Sequence, residues 1–127
     1  MREILFRGKR IDNGEWVFGM PWIFKEKSCI CPWKKGMCKY DTGFFPVEVI
    51  PKTVGQYTGL KDENGKRIFE GDVVYDRFTK DKVVFEDCQW KLVDRYGKWI
   101  ELFNREVEVI GNIHDNPELL EVANAER

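Results

Sequence analysis

Residues 56–74, QYTGLKDENGKRIFEGDVV, decide the fold of this chain. Segments of strand character lie on both sides of the pair Asn64-Gly65. Asn-Gly between two such runs predicts a β-hairpin, because both residues tolerate the positive φ angles of a tight turn. The following Glu70-Gly71-Asp72 predicts a turn or bulge at Gly71, with the Asp72 carboxylate bonded to nearby backbone amides. The stretch indicates β architecture and contains no arrangement typical of catalysis.

Two more hairpins are predicted from the same kind of turn. Asp12-Asn13-Gly14 separates Ile4 and Phe6 from Trp16 and Phe18, and Tyr96-Gly97 precedes Trp99-Ile100. Other segments of strand length are rich in valine, isoleucine and aromatic residues. These segments are 44–50, 72–75, 82–85, 90–93, 98–103 and 106–113. Many short strands in close succession favour a small barrel over a sandwich, because closure removes exposed sheet edges.

The remaining segments are an irregular connection and a C-terminal helix. Residues 25–51 contain Pro32, Gly36, Gly43, Pro46 and Pro51, and we expect them to join two lobes, at about 1–50 and 51–127. Near the end, Asp115 or Asn116 can cap a helix that begins at Pro117. We expect this short helix to run from about 117 to 123.

Length and composition predict one globular domain, residues 1–127. The chain is 43% hydrophobic and 34% charged, which is typical of a sequence that forms a packed core. Its net charge of −1 creates no global attraction to nucleic acid or to an anionic membrane. The first residues, MREILFRGKR, lack the apolar core of a signal peptide, and no apolar run is long enough to span a bilayer. We therefore expect a cytoplasmic protein with no membrane partner.

A family resemblance is carried by three stretches: the hairpin sequence 56–74, the segment 109–121 (VIGNIHDNPELLE), and the opening 1–19 (MREILFRGKRIDNGEWVFG). In order and spacing the chain resembles the YopX family of small phage and prophage proteins. The resemblance implies an all-β fold with an N-terminal β lobe, a C-terminal SH3-like small β barrel and a bacterial host cytoplasm. It implies no catalytic residues, and the cysteine-bearing stretch 28–40 departs from the family pattern.

One stretch combines basic and aromatic residues, as in proteins that neutralise phosphates and stack bases. Its members are Lys25, Lys27, Trp33, Lys34, Lys35, Lys39 and Tyr40. The alternative interpretation is a lysine-rich exposed loop with aromatic side chains packed below it.

Metal binding and catalysis are less well supported by the sequence. Cys29, Cys31, Cys38 and Cys88 do not form the paired C-x(2–4)-C knuckles of a structural zinc site, so buried or unpaired thiols are the preferred interpretation. His114 is the single histidine and stands beside Asp115, a position typical of a turn. No phosphate-binding loop is present. We expect no cofactor, no metal and no catalytic residues.

The sequence therefore predicts a non-enzymatic phage or prophage accessory protein that binds a host or phage macromolecule. A nucleic-acid-binding module is the first alternative, and a small hydrolase or nuclease the second. Five tryptophans and nine phenylalanines are more than one thin barrel buries, so we also expect a homo-oligomer.

Overall fold

The computed structural model describes residues 3–32, 46–103 and 105–121. For Phe24 it describes the backbone alone. The described residues form an all-β protein of two antiparallel sheets, with only two short 3-10 turns as helix. The chain divides into two compact units, Met1–Tyr57 and Thr58–Arg127. Among the described residues, no helix has the length and apolar character needed to cross a membrane.

The first unit is built on a meander of four strands and the start of a fifth. The strands are β1 (Phe6–Lys9), β2 (Trp16–Phe24), β3 (Lys27–Pro32), β4 (Val47–Glu48) and β5 (Gly55–Lys61), with the 3-10 turn η1 at Pro51–Thr53. Their sheet, which ends with β6 (Arg67–Phe69), has the order β4-β3-β2-β1-β5-β6. Ile30 of β3 and Val49, which follows β4, are fully buried. A Cβ at Gly8 would lie 2.9 Å from Val49 Cγ2, so glycine is needed there for the close approach.

The second unit carries the other sheet and its own core. Its remaining strands are β6 (Arg67–Phe69), β7 (Asp72–Tyr75), β8 (Lys80–Glu86), β9 (Gln89–Asp94), β10 (Trp99–Glu101) and β11 (Glu108–Asn112), followed by η2 (Pro117–Leu120). The sheet order is β10-β9-β8-β7-β11. The core is formed by buried aliphatic side chains: Ile68, Val74, Val83, Leu92, Leu102 and Val107.

The three predicted hairpins are confirmed. The turns between β1 and β2, β5 and β6, and β9 and β10 contain Gly14, Gly65 and Gly97 at φ angles of 73°, 82° and 84°. Gly71 also has a positive φ, 89°, and Asp72 Oδ2 accepts the amide of Phe69 at 2.8 Å. Each glycine that the sequence predicts in a turn therefore has the expected positive φ angle.

Three expectations need correction. Within the described residues neither sheet closes into a barrel, because β4 and β6 remain at the edges of the first sheet and β10 and β11 at the edges of the second. The stretch 25–51 is not irregular throughout, since it contains β3 and β4. The C-terminal helix is one 3-10 turn, Pro117–Leu120, and Asn116 makes no side-chain capping bond to it. The part of the expected helix beyond residue 121 lies outside the described residues.

Candidate functional site

The second sheet has a core face and an opposite face, which the strand register distinguishes. Val74 of β7 lies opposite Asp81 of β8, and the next pair is Tyr75 with Lys80. Directly opposed residues project from the same face and successive residues alternate, so Tyr75 and Lys80 point away from the core that holds Val74. The two side chains thus belong to the face opposite the core.

The turn η2 covers part of this opposite face. Gly111 of β11 is paired with Val73 of β7, which is fully buried. A Cβ at Gly111 would lie 2.9 Å from Leu119 Cδ1 and 2.6 Å from Asn116 Oδ1. The glycine therefore lets η2 lie flat against the sheet, with Leu119 directly over the strand.

A groove of about 200 Å³ lies within the second unit, beside η2. We call it the aromatic groove. It is lined by the end of β7, the two turns that follow β7 and β9, and η2. Three of the lining residues are exposed aromatics: Phe78 is 90% exposed, Tyr96 67% and Tyr75 39%. The other lining residues are Thr79, Lys80, Asp94, Arg95, Glu118, Leu119 and Glu121.

Phe78 is held in a turn that Asp76 closes. Asp76 Oδ1 accepts the backbone N–H of Phe78 at 2.9 Å and that of Thr79 at 2.8 Å. Arg77 has a φ of 80°, a left-handed conformation that costs a non-glycine residue about 1–2 kcal/mol. Its guanidinium contacts Glu63 at 3.1 Å. The turn therefore holds the highly exposed Phe78 on a constrained backbone.

Tyr96 lies in a turn that an aspartate side chain closes in the same way. Asp94 Oδ1 accepts the backbone N–H groups of Tyr96 at 2.8 Å and Lys98 at 3.0 Å, while Gly97 has a φ of 84°. The guanidinium of Arg95 lies 5.5 Å from the Tyr96 ring centroid, a cation–π distance. Arg95 also donates through Nη1 to the carbonyl of Glu121 at 3.2 Å, which ties the turn to the end of η2.

Asp81 is a buried carboxyl group close to the groove but on the core face of the sheet. It is 3% exposed, its Oδ1 accepts from the Thr79 hydroxyl at 2.8 Å, and its Oδ2 has no hydrogen-bond partner. Burial raises the pKa of Asp81 from 3.8 to about 6, and the Asp76 carboxylate adds to the rise. Although burial opposes it, bonds from the amides of Thr79 and Phe78 lower the pKa of Asp76. The two pKa values are therefore shifted in opposite directions, and both carboxyl groups bond to residues of the same turn, so we assign the pair to the structure of the turn.

The basic and aromatic residues singled out in the sequence fall mostly outside the described part of the chain. Trp33, Lys34, Lys35, Lys39 and Tyr40 are not described. Lys25 is exposed in the turn between β2 and β3, where it and Glu26 have φ angles of 52° and 64°. Lys27 Nζ lies 3.8 Å from Glu48 Oε1.

The strand β2 has an exposed apolar row beside Lys27. Phe18, Met20 and Trp22 alternate along the strand and are 43%, 44% and 55% exposed. Met20 is opposite Cys31 and Trp22 is opposite Cys29, so these residues share one face of the sheet with Lys27. We call Phe18, Met20 and Trp22 the β2 row. Of the three, only Trp22 was near the stretch that sequence reasoning singled out.

The described cysteines are thiols on a strand or in a turn, and the histidine lies in a turn. Cys29 and Cys31 are buried thiols on β3, as the preferred interpretation of the sequence has them, and Cys88 is exposed. Cys38 is outside the described residues, among which no cluster of three or more His, Cys, Asp or Glu is placed to hold a metal ion. His114 lies in the turn between β11 and η2, where its backbone N–H donates to Asn112 Oδ1 at 3.0 Å.

The aromatic groove was missed by sequence reasoning, although a repeated pattern points to it. Its two turns read Asp76-Arg77-Phe78-Thr79 and Asp94-Arg95-Tyr96-Gly97. In each one an aspartate accepts backbone amides across the turn, and the aromatic residue two positions later is exposed. The shared Asp-Arg-aromatic order is the signal that could have found the groove.

Comparisons with known proteins agree on the fold. A family model described as YopX protein matches residues 5–121. The crystal structure of protein EF1440 from Enterococcus faecalis is similar, with a TM-score of 0.53 and 23% sequence identity, covering 95% of this chain and 100% of that chain. At this level of identity the likeness shows the fold alone. No protein of curated function matches the chain.

Proposed function

The chain belongs to the YopX family, and we propose that it is a non-enzymatic phage or prophage accessory protein that binds a host or phage protein in the bacterial cytoplasm. The observation that carries the proposal is the aromatic groove, where Tyr75, Phe78 and Tyr96 are exposed around one concave surface. Aromatic side chains at the surface are the typical anchors of protein interfaces.

The dimensions of the groove favour a macromolecular partner over a small substrate. Pockets that enclose drug-sized ligands or cofactors have volumes of about 300–1,000 Å³. The groove measures about 200 Å³, which suits a few side chains of a partner whose remaining surface lies outside it. The proposal that the protein is not an enzyme rests on this size and on the structural role of the Asp76–Asp81 pair.

The charge of the groove favours protein over nucleic acid at this surface. Asp94, Glu118 and Glu121 line it together with Lys80 and Arg95. Carboxylates beside a phosphate backbone are repulsive, whereas mixed charges around an apolar centre are common at protein interfaces.

We also retain the proposal that the second unit is related to SH3-like barrels, which its five-stranded antiparallel sheet supports.

A second candidate function is nucleic-acid binding by the first unit. It is supported by the β2 row, where Phe18 and Trp22 offer stacking surfaces on the same face as Lys27. It predicts salt-dependent binding of single-stranded DNA or RNA that is lost in a Trp22→Ser variant and in the double variant Lys34→Glu, Lys35→Glu. Binding that is absent or insensitive to salt would exclude it.

The experiment that tests the leading proposal compares two variants in affinity capture from a phage-infected bacterial lysate, with and without nuclease. One variant carries Phe78→Ser and Tyr96→Ser in the groove, and the control carries Phe18→Ser and Trp22→Ser in the β2 row. All four side chains are exposed, so neither variant removes core packing. We expect a protein partner that resists nuclease, is captured by the control and is lost from the groove variant. A partner captured equally by both variants would show that the groove is not the binding surface.

A further inference from the structure

The side chains of the aromatic groove identify a ligand class, an inference that rests on the protein-binding function proposed above. We infer that the groove binds a proline-rich peptide segment in the polyproline II conformation, next to an arginine or lysine of the same peptide. Three features of the groove support this ligand: the exposed aromatic rings, the tyrosine hydroxyl groups and the carboxylates of Glu118 and Glu121.

The aromatic rings fit the apolar part of such a ligand. Tyr75, Phe78 and Tyr96 line one concave surface, and the turns that hold Phe78 and Tyr96 are fixed by aspartate side chains. Aromatic-lined grooves are the usual recognition surface for proline-rich segments, whose helix is preformed and therefore loses little entropy on binding. A turn backbone that is fixed before binding adds little further entropic cost.

The tyrosine hydroxyl groups fit the backbone of the ligand. A polyproline II helix has no internal hydrogen bonds, so its carbonyl oxygens need external donors. Tyr75 and Tyr96 both carry an O–H donor, and neither hydroxyl is bonded to another of the described residues. The two donors in the groove can therefore bond to the carbonyl groups of the peptide.

The carboxylates select the charge of the flanking residue. Glu118 of η2 and Glu121, the residue after η2, line the groove, and neither side chain forms an ion pair within the described part of the chain. Arg95 is oriented toward the Tyr96 ring and the Glu121 carbonyl. A basic ligand side chain would neutralise the two carboxylates. Lys80 lines the same groove, so an acidic flanking residue is the alternative that the experiment must test.

An extended β-peptide does not fit this surface. Strand addition needs a sheet edge with unpaired backbone groups. The strands that contribute to the groove, β7, β8 and β9, each have a hydrogen-bonded neighbour on both sides. The ligand must therefore be held by side chains, which is how polyproline II segments are bound.

The test measures binding of three fluorescent peptides to the full chain by fluorescence anisotropy. The first peptide has a run of prolines followed by arginines, the second replaces the prolines with glycine and serine, and the third replaces the arginines with glutamates. We expect the first peptide to bind at least about tenfold more tightly than the other two. Phe78→Ser should abolish this binding, and the double variant Glu118→Lys, Glu121→Lys should reverse the preference between arginine and glutamate. Trp22→Ser is the matched control and should bind as the parent does.

Several outcomes would overturn the inference. Equal binding of the glycine–serine peptide, or no binding of the proline–arginine peptide, would exclude polyproline recognition. Tighter binding of the glutamate peptide would exclude the basic residue. If the peptides fail while the lysate partner still requires Phe78 and Tyr96, the ligand class is wrong and the protein-binding function stands. If both experiments fail, the groove is not a binding site.

Discussion

The buried carboxyl of Asp81 makes the stability of the fold depend on pH. Its pKa in the folded protein is about 6, above the ordinary 3.8. Below about pH 4 the Asp81 carboxyl is protonated in both the folded and the unfolded state. Its burial then does not lower the free energy of unfolding. As the pH rises from 4 through 6, the unfolded chain ionises first, so the free energy of unfolding falls. The loss is complete above the folded pKa.

Asp81→Asn should remove this dependence. Asparagine can still accept from the Thr79 hydroxyl, and it carries no charge at any pH. We expect the variant to be more stable than the parent by about 1–2 kcal/mol at pH 8, after allowance for solvent screening, and equal to it near pH 4. Urea unfolding between pH 4 and pH 8 measures the difference. A parent that unfolds with the same free energy across this range would contradict the assignment.

Two turn residues provide a matched test of backbone strain. Cys88 has a φ of 63° in the turn between β8 and β9, where an aspartate followed by glycine is the preferred sequence. Cys88→Gly should stabilise the fold by about 0.5–1 kcal/mol. Gly97 has a φ of 84°, and a Cβ added there would meet no atom within 4 Å, so Gly97→Ala should destabilise by a similar amount through the backbone alone. Thermal unfolding of both variants checks the opposite signs.

At the scale of the element, the strands are predictable wherever turn chemistry is explicit. Asn13-Gly14, Asn64-Gly65 and Tyr96-Gly97 mark hairpins because glycine takes the positive φ that each turn needs. The hairpin of β2 and β3 was missed because Lys25 and Glu26 take positive φ angles without glycine. Pro21 within β2 also hides the strand. It is tolerated where β1 no longer pairs with β2, which leaves one side of that strand open.

The position of η2 depends on Gly111. Because a Cβ there would lie 2.6 Å from Asn116 Oδ1, Gly111→Ala should push η2 away from β11 and break the 3.3 Å bond from the Asn112 amide to Asn116. We expect a loss of about 1–3 kcal/mol, as in other overpacked sites, together with NMR shifts at Glu118 and Leu119. Gly65→Ala, which meets open space, is the control for NMR shifts in η2. Unchanged shifts in η2 of the Gly111 variant would contradict the contact.

At the scale of the whole molecule, composition predicted exposed aromatic residues but not where they gather. The aromatic groove brings together residues separated by up to 46 positions along the chain, from Tyr75 to Glu121. Such a surface depends on sheet register and on where η2 lies, neither of which follows from local patterns. The basic and aromatic stretch 25–40 is visible in the sequence because its residues are adjacent in the chain. Neighbours in sequence are easier to find than neighbours in space.

Self-association is the prediction that concerns the whole molecule, and the β2 row is its most specific support. Phe18, Met20 and Trp22 form an apolar line on one sheet face. Stable interfaces bury about 1,200–2,000 Å² in total, more than three side chains per copy can supply. We therefore expect a weak homo-oligomer that forms at micromolar concentrations or above. The double variant Phe18→Ser, Trp22→Ser should be monomeric over the same range.

Light scattering coupled to size exclusion, across a wide range of protein concentration, measures this equilibrium. Phe78→Ser is the control, since it removes an even more exposed aromatic ring, from the groove, and should leave the mass unchanged. If Phe78→Ser dissociates the oligomer and the β2 variant does not, the groove is the contact between copies. A parent mass that stays monomeric throughout would leave the β2 row without a role in self-association, because apolar association strengthens with concentration and would have become visible.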